Sequence, residues 1–210
     1  MYLYLNIIKE FACVEISKEL PIPQMHIKEK DREWAVHLVK EKIKKGKYLI
    51  GLNPGARFGP AKRWLAERFV ELGNRLTLKF NASIILFGGP EEKEFVSGIA
   101  AGIKTQQGEV LNMAGSTSLG QLAGLIERCN VFITNDTGPM HIAYGVRTPV
   151  VAIFGSTDPN RTGPPGDSHK IVRKDVPCSP CFKRVCPYDM ECMKAITVDD
   201  VMDAVETVIV

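Results

Sequence analysis

Residues 131–145 of this chain read VFITNDTGPMHIAYG, and this stretch says most about the fold. Its first four residues form an apolar run that predicts a buried strand, and a polar turn containing Gly138 and Pro139 follows at once. A short helix is predicted over residues 138–144. Where a strand leads through a glycine turn into a helix, backbone N–H groups and the helix dipole converge, so an anion such as phosphate can bind there.

Strand and helix patterns alternate on both sides of this stretch. Further strands are predicted at residues 48–52, 82–87, 110–113, 149–154 and 171–172. Further helices are predicted at residues 31–45, 64–79, 90–103 and 118–129, and a final helix at residues 197–208. Gly46 is expected to end the first of these helices, Ser118 to cap the fourth, and Thr197 to open the last with a capping box. This alternation predicts an α/β protein with a Rossmann-like, doubly wound parallel sheet.

Length and composition restrict the class of protein. With 210 residues, 45% hydrophobic and 24% charged, the chain suits one large globular domain or one domain with an appendage. The net charge of +3 is too small to indicate a nucleic-acid partner. Apolar runs are only of strand length, and the N-terminus lacks the pattern of a signal peptide, so we expect a cytoplasmic location.

Ligands of an open parallel sheet bind outside the carboxyl ends of its strands. Five loops at such ends carry Gly, Ser, Thr or charged residues, at residues 55–64, 88–91, 115–118, 135–141 and 155–158. Their convergence predicts a ligand site. For single residues a structural role is a comparable alternative: Lys62 as a solvated lysine, Glu91 as a carboxylate favoured at a helix N-terminus, and His141 as a packed histidine.

Five segments of the chain are informative through their sequences and through their order. They are PGARFGPAKRW (54–64), FGGPEE (87–92), NDTGPMH (135–141), VVAIFGSTDP (150–159) and CSPCFKRVCP (178–187). Together they resemble glycosyltransferase family 9, the lipopolysaccharide heptosyltransferases, and the first is most similar to the heptosyltransferase II branch. The resemblance implies the GT-B architecture, in which two Rossmann-like domains face a cleft and the C-terminal domain binds ADP-L-glycero-D-manno-heptose.

The resemblance also implies roles for individual residues. Lys62 would contact the donor diphosphate and stabilise the leaving group, and Glu91 would bind the ribose. The rest of the donor site would be lined by Gly55, Arg57, Asp136, Thr137, Gly138 and His141. No catalytic base is assigned, because the family's aspartate lies in an N-terminal domain that has no match here. The rim has no DxD motif, so no divalent metal is required for this donor site, and no cofactor is expected.

Only 53 residues precede Pro54, too few for a second Rossmann domain. We therefore interpret residues 1–46, with a helix within 3–11 and an extended linker at 20–27, as the remnant of a missing acceptor domain. Residues 47–210 would form the nucleotide-sugar-binding domain. The alternatives are a non-catalytic or split-enzyme module that needs a partner chain, and another sugar-nucleotide enzyme of the same fold, so activity of this chain alone is left open.

The partners implied are ADP-heptose or a related nucleotide sugar and, in the intact enzyme, a lipid-anchored core oligosaccharide acceptor. Nucleic acid is not expected. Self-association or a partner chain could bury the apolar face of the N-terminal segment, because the acceptor domain that would pack against this face is missing. The expected location is cytoplasmic, with or without peripheral attachment to the inner membrane.

Four of the six cysteines lie within residues 178–192, here named the Cys-rich loop: Cys178, Cys181, Cys186 and Cys192. A zinc site is usually built from two Cys-x2-Cys pairs, and this loop has one such pair. Disulfides would staple the loop, although the cytosol keeps most thiols reduced. A metal cluster, disulfides and reduced thiols therefore remain three alternatives.

Overall fold

The computed structural model describes residues 23–106 and 108–209, and a six-stranded parallel sheet forms its centre. The strands are β1 (Tyr48–Asn53), β2 (Ala82–Leu86), β3 (Val110–Asn112), β4 (Val131–Asn135), β5 (Val150–Phe154) and β6 (Lys170–Arg173). Their order is β3-β2-β1-β4-β5-β6, and every neighbouring pair is parallel. This is the strand order of the doubly wound Rossmann fold, so the predicted fold class is confirmed.

Helices cover both faces of the sheet. They are α1 (Glu29–Lys42), α2 (Ala66–Phe80), α3 (Lys93–Gly102), α4 (Leu119–Glu127), α5 (Gly138–Gly145), α6 (Pro159–Thr162), α7 (Glu191–Ala195) and α8 (Val198–Glu206). Apolar residues of α2, α3 and α8 pack in one cluster, and those of α1, α4 and α5 pack in another on the opposite face. Because β2, β4 and β5 are buried on both sides, they are apolar almost throughout.

Both predicted helix N-caps are present. The Ser118 hydroxyl accepts a hydrogen bond from the Gln121 amide at 3.2 Å, and the Thr197 hydroxyl accepts one from the Asp200 amide at 3.2 Å. Each N-cap amide in turn donates to the side chain three residues later, which completes a capping box. These helix starts follow from local chemistry alone.

Three helix ends differ from the predicted ones, and one of them is set by tertiary contacts. The helix predicted from residue 64 starts at Ala66, because the Trp64 amide donates to the Asn135 side chain and its indole donates to the Ile196 carbonyl. The helix predicted from residue 90 is preceded by a 3-10 turn, Pro90–Glu92, and starts at Lys93. The first helix ends at Lys42 instead of residue 45, with Ile43 as its C-cap, so the prediction that Gly46 ends it is wrong.

The segment before β1 is described only in part. The helix predicted within residues 3–11 and the start of the linker lie outside the described residues. α1 packs against α4, where Arg32 Nε lies 2.9 Å from Glu127 Oε2 and Ala35 is fully buried. The assignment of residues 1–46 to the remnant of another domain stays a prediction. Among the described helices, none has the length and apolar character needed to cross a membrane.

Candidate functional site

The strand order reverses between β1 and β4, which opens a crevice outside the carboxyl ends of these two strands. Asn53 ends β1 and Asn135 ends β4, and both are buried. The side-chain amide of Asn53 donates to the hydroxyls of Thr134 and Thr137, each at 3.0 Å. The side-chain amide of Asn135 donates to the Pro54 carbonyl at 2.8 Å. These bonds tie together two loops that lie about 80 residues apart in sequence.

No motif in the sequence pointed to a role for these two asparagines. A buried amide is stable only when its donors and acceptors are paired, and here the partners come from distant loops. Their shared signal in the sequence is a single amide residue that closes an otherwise apolar strand. Such a residue marks the point where the backbone leaves the core and polar contacts begin.

Lys62 and Asp136, both predicted for the site, form an ion pair across the crevice. Lys62 Nζ lies 2.6 Å from Asp136 Oδ2, and the side chains are only 14% and 4% exposed. The same carboxylate oxygen accepts a hydrogen bond from the Thr157 hydroxyl at 2.7 Å. The ammonium also lies 4.9 Å from the centroid of the Phe58 ring, within the range of a cation–π contact. Lys62 is therefore held inside the site and is not the solvated surface lysine that was its alternative.

The N-terminus of α5 opens at the same point. Thr137 is the N-cap residue, but its hydroxyl accepts from Asn53 instead of capping the helix. A Cβ atom placed on Gly138 would meet no heavy atom of the described residues within 4 Å, so open space lies in front of the first turn. The positive end of the helix dipole thus faces space that an anion can enter.

Two adjoining cavities occupy this space. The larger cavity, about 580 Å³, is lined by loops that follow β1, β2, β3 and β4, and among its residues are Gly55 and Glu91. The smaller cavity, about 210 Å³, is lined by Lys62, Asp136 and His141 among others. Three predicted residues line both cavities: Arg57, Thr137 and Gly138. The fold therefore brings all eight predicted residues to one place, although their roles toward a ligand stay predictions.

The turn after β2 carries two carboxylates with different surroundings. Glu92 Oε2 accepts a hydrogen bond from the Gly89 amide at 2.9 Å, and Glu92 Oε1 lies 3.5 Å from Arg63 Nη2. A Cβ atom on Gly55 would lie only 2.2 Å from Glu92 Oε2, so a side chain at residue 55 would displace the Glu92 carboxylate from this position. Glu91 is exposed and lines the larger cavity, so it is the carboxylate available to a ligand.

His141 borders the smaller cavity from the first turn of α5. Its Nδ1 atom lies 3.0 Å from the Tyr144 hydroxyl oxygen. Partial burial of the ring lowers the pKa of His141, the Asp136 carboxylate opposes that shift, and the Lys62 ammonium adds to it. The imidazole is therefore neutral near pH 7 and offers one donor and one acceptor.

The Cys-rich loop lies beside the crevice. Cys178, Cys181, Cys186 and Cys192 are free thiols in the structure. Within the part of the chain that the structure describes, no group of three or more His, Cys, Asp or Glu residues is arranged to hold a metal ion.

Comparison with known proteins gives a consistent result. Residues 4–191 match glycosyltransferase family 9 (heptosyltransferase). Lipooligosaccharide heptosyltransferase 2 of Campylobacter jejuni is 38% identical over 169 residues, which cover 78% of this chain and 52% of that protein. The solved structure of the ADP-heptose lipopolysaccharide heptosyltransferase II of Escherichia coli aligns with a TM-score of 0.76 at 28% identity, covering 92% of this chain and 55% of that one.

A glycosyltransferase family 9 structure from Veillonella parvula aligns with a TM-score of 0.80 at 26% identity, covering 99% of this chain and 59% of that one. This chain spans about half the length of the relatives that it matches. The predicted Rossmann-like half of a GT-B glycosyltransferase is confirmed by these alignments and by the parallel sheet. By its sequence match over most of its length and by its fold, the chain belongs to glycosyltransferase family 9.

Proposed function

We propose that this chain is the donor-binding half of a heptosyltransferase and that it binds ADP-heptose for transfer to the lipopolysaccharide core. The observation that carries the proposal is the pair of adjoining cavities that share a helix N-terminus. The larger cavity has the size of a small-molecule site and would take the nucleoside, and the smaller cavity would take the sugar. The diphosphate would lie between them, at Arg57 and the start of α5.

In the intact enzyme the acceptor hydroxyl attacks the anomeric carbon while ADP leaves. Negative charge then builds on the diphosphate, where Lys62 and the backbone amides at Thr137 and Gly138 stabilise it. Asp136 holds the Lys62 ammonium in place, and Glu91 accepts hydrogen bonds from the ribose hydroxyls. None of these roles needs a metal ion, since the positive charge comes from side chains and the helix terminus.

The domain assignment forms part of the same proposal. Residues 47–210 would be the nucleotide-sugar-binding domain and residues 1–46 a remnant of an acceptor domain. The acceptor domain would supply the general base and the site for the lipid-anchored oligosaccharide. We place the protein in the cytoplasm at the inner membrane face, because its acceptor is anchored there. Transferase activity that is absent alone and restored by an added acceptor half would support this division.

Isothermal titration calorimetry of the full chain with ADP, UDP and GDP tests the donor assignment. We expect ADP to bind most tightly, and Lys62→Ala to weaken ADP binding by roughly 10-fold or more, the worth of a hydrogen bond to a charged group. Lys79→Ala is the matched control, because it also removes an ion pair, with Glu206, on the surface where α2 packs on α8. Folded protein that binds no ADP, or prefers UDP or GDP, contradicts the proposal.

A further inference from the structure

The Cys-rich loop joins two of the loops that form the rim. On one side it contacts the loop after β5, where the Ser179 hydroxyl donates to the Gly155 carbonyl at 2.5 Å. The amides of Cys181 and Phe182 both donate to the Ser156 carbonyl, at 3.1 and 2.8 Å. Residues 179–182 are therefore fixed to the sheet through its β5 end.

On its other side the Cys-rich loop contacts the segment that leads to Lys62. The Ala61 amide donates to the Arg184 carbonyl at 3.1 Å, and Arg184 Nε donates to the Phe58 carbonyl at 2.7 Å. A Cβ atom on Gly59 would lie 2.3 Å from the Arg184 carbonyl oxygen, so the two backbones touch. Arg184 thus contacts the segment 58–61 through both its backbone and its side chain.

The Phe58 ring links this contact to Lys62. The Arg184 guanidinium carbon lies 5.7 Å from the ring centroid, and Lys62 Nζ lies 4.9 Å from the same centroid. Phe58 is 43% exposed, so its position depends on these contacts and not on burial in the core. A change at Arg184 therefore reaches the Lys62 ammonium through one aromatic ring and a short stretch of backbone.

We propose that Arg184 is a positioning residue of the donor site, which acts through Phe58 and the backbone of residues 58–61 to hold Lys62 in place. The identity of the ligand rests on the proposed function above. Lysine carries its charge on a flexible stem, and ordering that stem costs conformational entropy when an anion binds. A segment that is already fixed in the free protein reduces this cost, so Arg184 raises affinity without touching the ligand.

The test uses the full chain with Arg184→Ala, Arg184→Lys and Lys183→Ala. Lys183 is the matched control, because it is the adjacent cation and lies against Tyr188 instead of Phe58. We expect Arg184→Ala to weaken ADP binding about three- to tenfold, the net worth of one hydrogen bond. Arg184→Lys keeps a cation and a donor and should recover part of this loss, and Lys183→Ala should leave affinity unchanged.

A double-mutant cycle separates positioning from direct contact with the ligand. If Arg184 acts through Lys62, Arg184→Ala should cause no further loss of ADP affinity in a Lys62→Ala background. Additive losses would mean that Arg184 meets the ligand itself, and the proposal would then be wrong.

Amide hydrogen exchange, followed by NMR in the ligand-free protein, tests the contact without ADP. The Ala61 amide should exchange faster in Arg184→Ala than in Lys183→Ala, while amides of β4 stay protected. Unchanged exchange at Ala61 overturns the positioning role. Wild-type protein that binds no ADP overturns the proposed function instead, and the Ala61 result then decides whether Arg184 fixes this segment.

Discussion

The Lys62–Asp136 pair is almost withdrawn from solvent, with Lys62 14% and Asp136 4% exposed. Removing two charges from water costs about as much as their attraction returns, so a buried pair contributes little net stability. Removing one member of such a pair is strongly destabilising, because the remaining charge stays buried without its partner. The pair is therefore better explained by a role in holding the ammonium at the crevice than by a role in folding.

We predict that Lys62→Met lowers the free energy of unfolding by about 3 kcal/mol, because it leaves the Asp136 carboxylate buried and uncompensated. The double variant Lys62→Met/Asp136→Asn should regain much of that loss, since the neutral amide can still accept from Thr157. Urea denaturation of the wild type and both variants measures these differences. A double variant no more stable than Lys62→Met would show that the buried charge is not the cause.

His141 gives a prediction on pH. Its pKa lies below the ordinary value of 6.5, chiefly because partial burial disfavours the imidazolium. A diphosphate bound at the start of α5, beside the smaller cavity that His141 lines, favours the charged ring, so ADP should raise the pKa of His141 in an NMR titration. The pKa of His169 is also lowered by burial, but His169 lines neither cavity, so its titration should not move. Equal behaviour of the two histidines would contradict the placement of the diphosphate.

The same shifts affect stability with a defined sign. A histidine whose pKa is lower in the folded state binds protons more readily when the chain unfolds. The contribution of His141 and His169 to the free energy of unfolding therefore falls as pH drops from about 6.5 through the folded-state pKa. Well above pH 6.5 both rings are neutral in both states and this contribution is constant.

Among the elements, α8 depends most clearly on its first turn. The Thr197 hydroxyl accepts from the Asp200 amide, and Asp200 Oδ2 accepts from the Thr197 amide at 2.8 Å. Asp200 also pairs with Lys174 at 2.6 Å, which links the helix to the segment after β6. Burial of the carboxyl opposes a lower pKa, but the bonds from Lys174 and Thr197 outweigh it and lower the pKa of Asp200.

We predict that Thr197→Ala lowers the free energy of unfolding by about 1 kcal/mol, the usual worth of an N-cap. The stabilisation from Asp200 is present above the pKa of an unfolded aspartate and is lost as pH falls through its lower folded-state value. Chemical denaturation at pH 7 and at about pH 3 measures both effects. Asp203→Asn is the control, because Asp203 is an exposed carboxylate on the same helix. The loss of unfolding free energy that it causes should differ less between the two pH values than the loss caused by Asp200→Asn.

Element types in this chain follow from the sequence, while several element ends do not. The caps at Ser118 and Thr197 are local hydrogen bonds, so their residues predict them directly. The start of α2 is set by Trp64, whose indole donates to Ile196, a residue 132 positions away in the chain. No window of sequence around Trp64 contains that acceptor, so periodicity alone placed the helix start too early.

At the scale of the whole molecule, ligand binding and folding are linked. A ligand that binds the folded chain at 100 times its Kd adds about 2.7 kcal/mol to stability. For a protein of this size that corresponds to a rise in Tm of about 5–10 °C. We predict such a rise with ADP in a thermal unfolding assay, and a smaller one with UDP or GDP at equal concentration. Equal rises with all three nucleotides would contradict recognition of the base.

The sequence alone determined the fold class, because unbroken apolar strands alternating with amphipathic helices are stable only as a parallel sheet covered on both faces. It also determined which loops carry the site, since the carboxyl ends of parallel strands share one edge. The tertiary structure decided which residues meet there. Lys62 forms an ion pair with Asp136, which lies 74 residues later in the chain. Glu92 accepts a hydrogen bond from the Gly89 amide, which leaves Glu91 as the carboxylate that a ligand can contact. Arg184 donates to the carbonyl of Phe58, 126 residues earlier. Such contacts depend on strand order and loop path, which the polarity pattern of the chain does not encode.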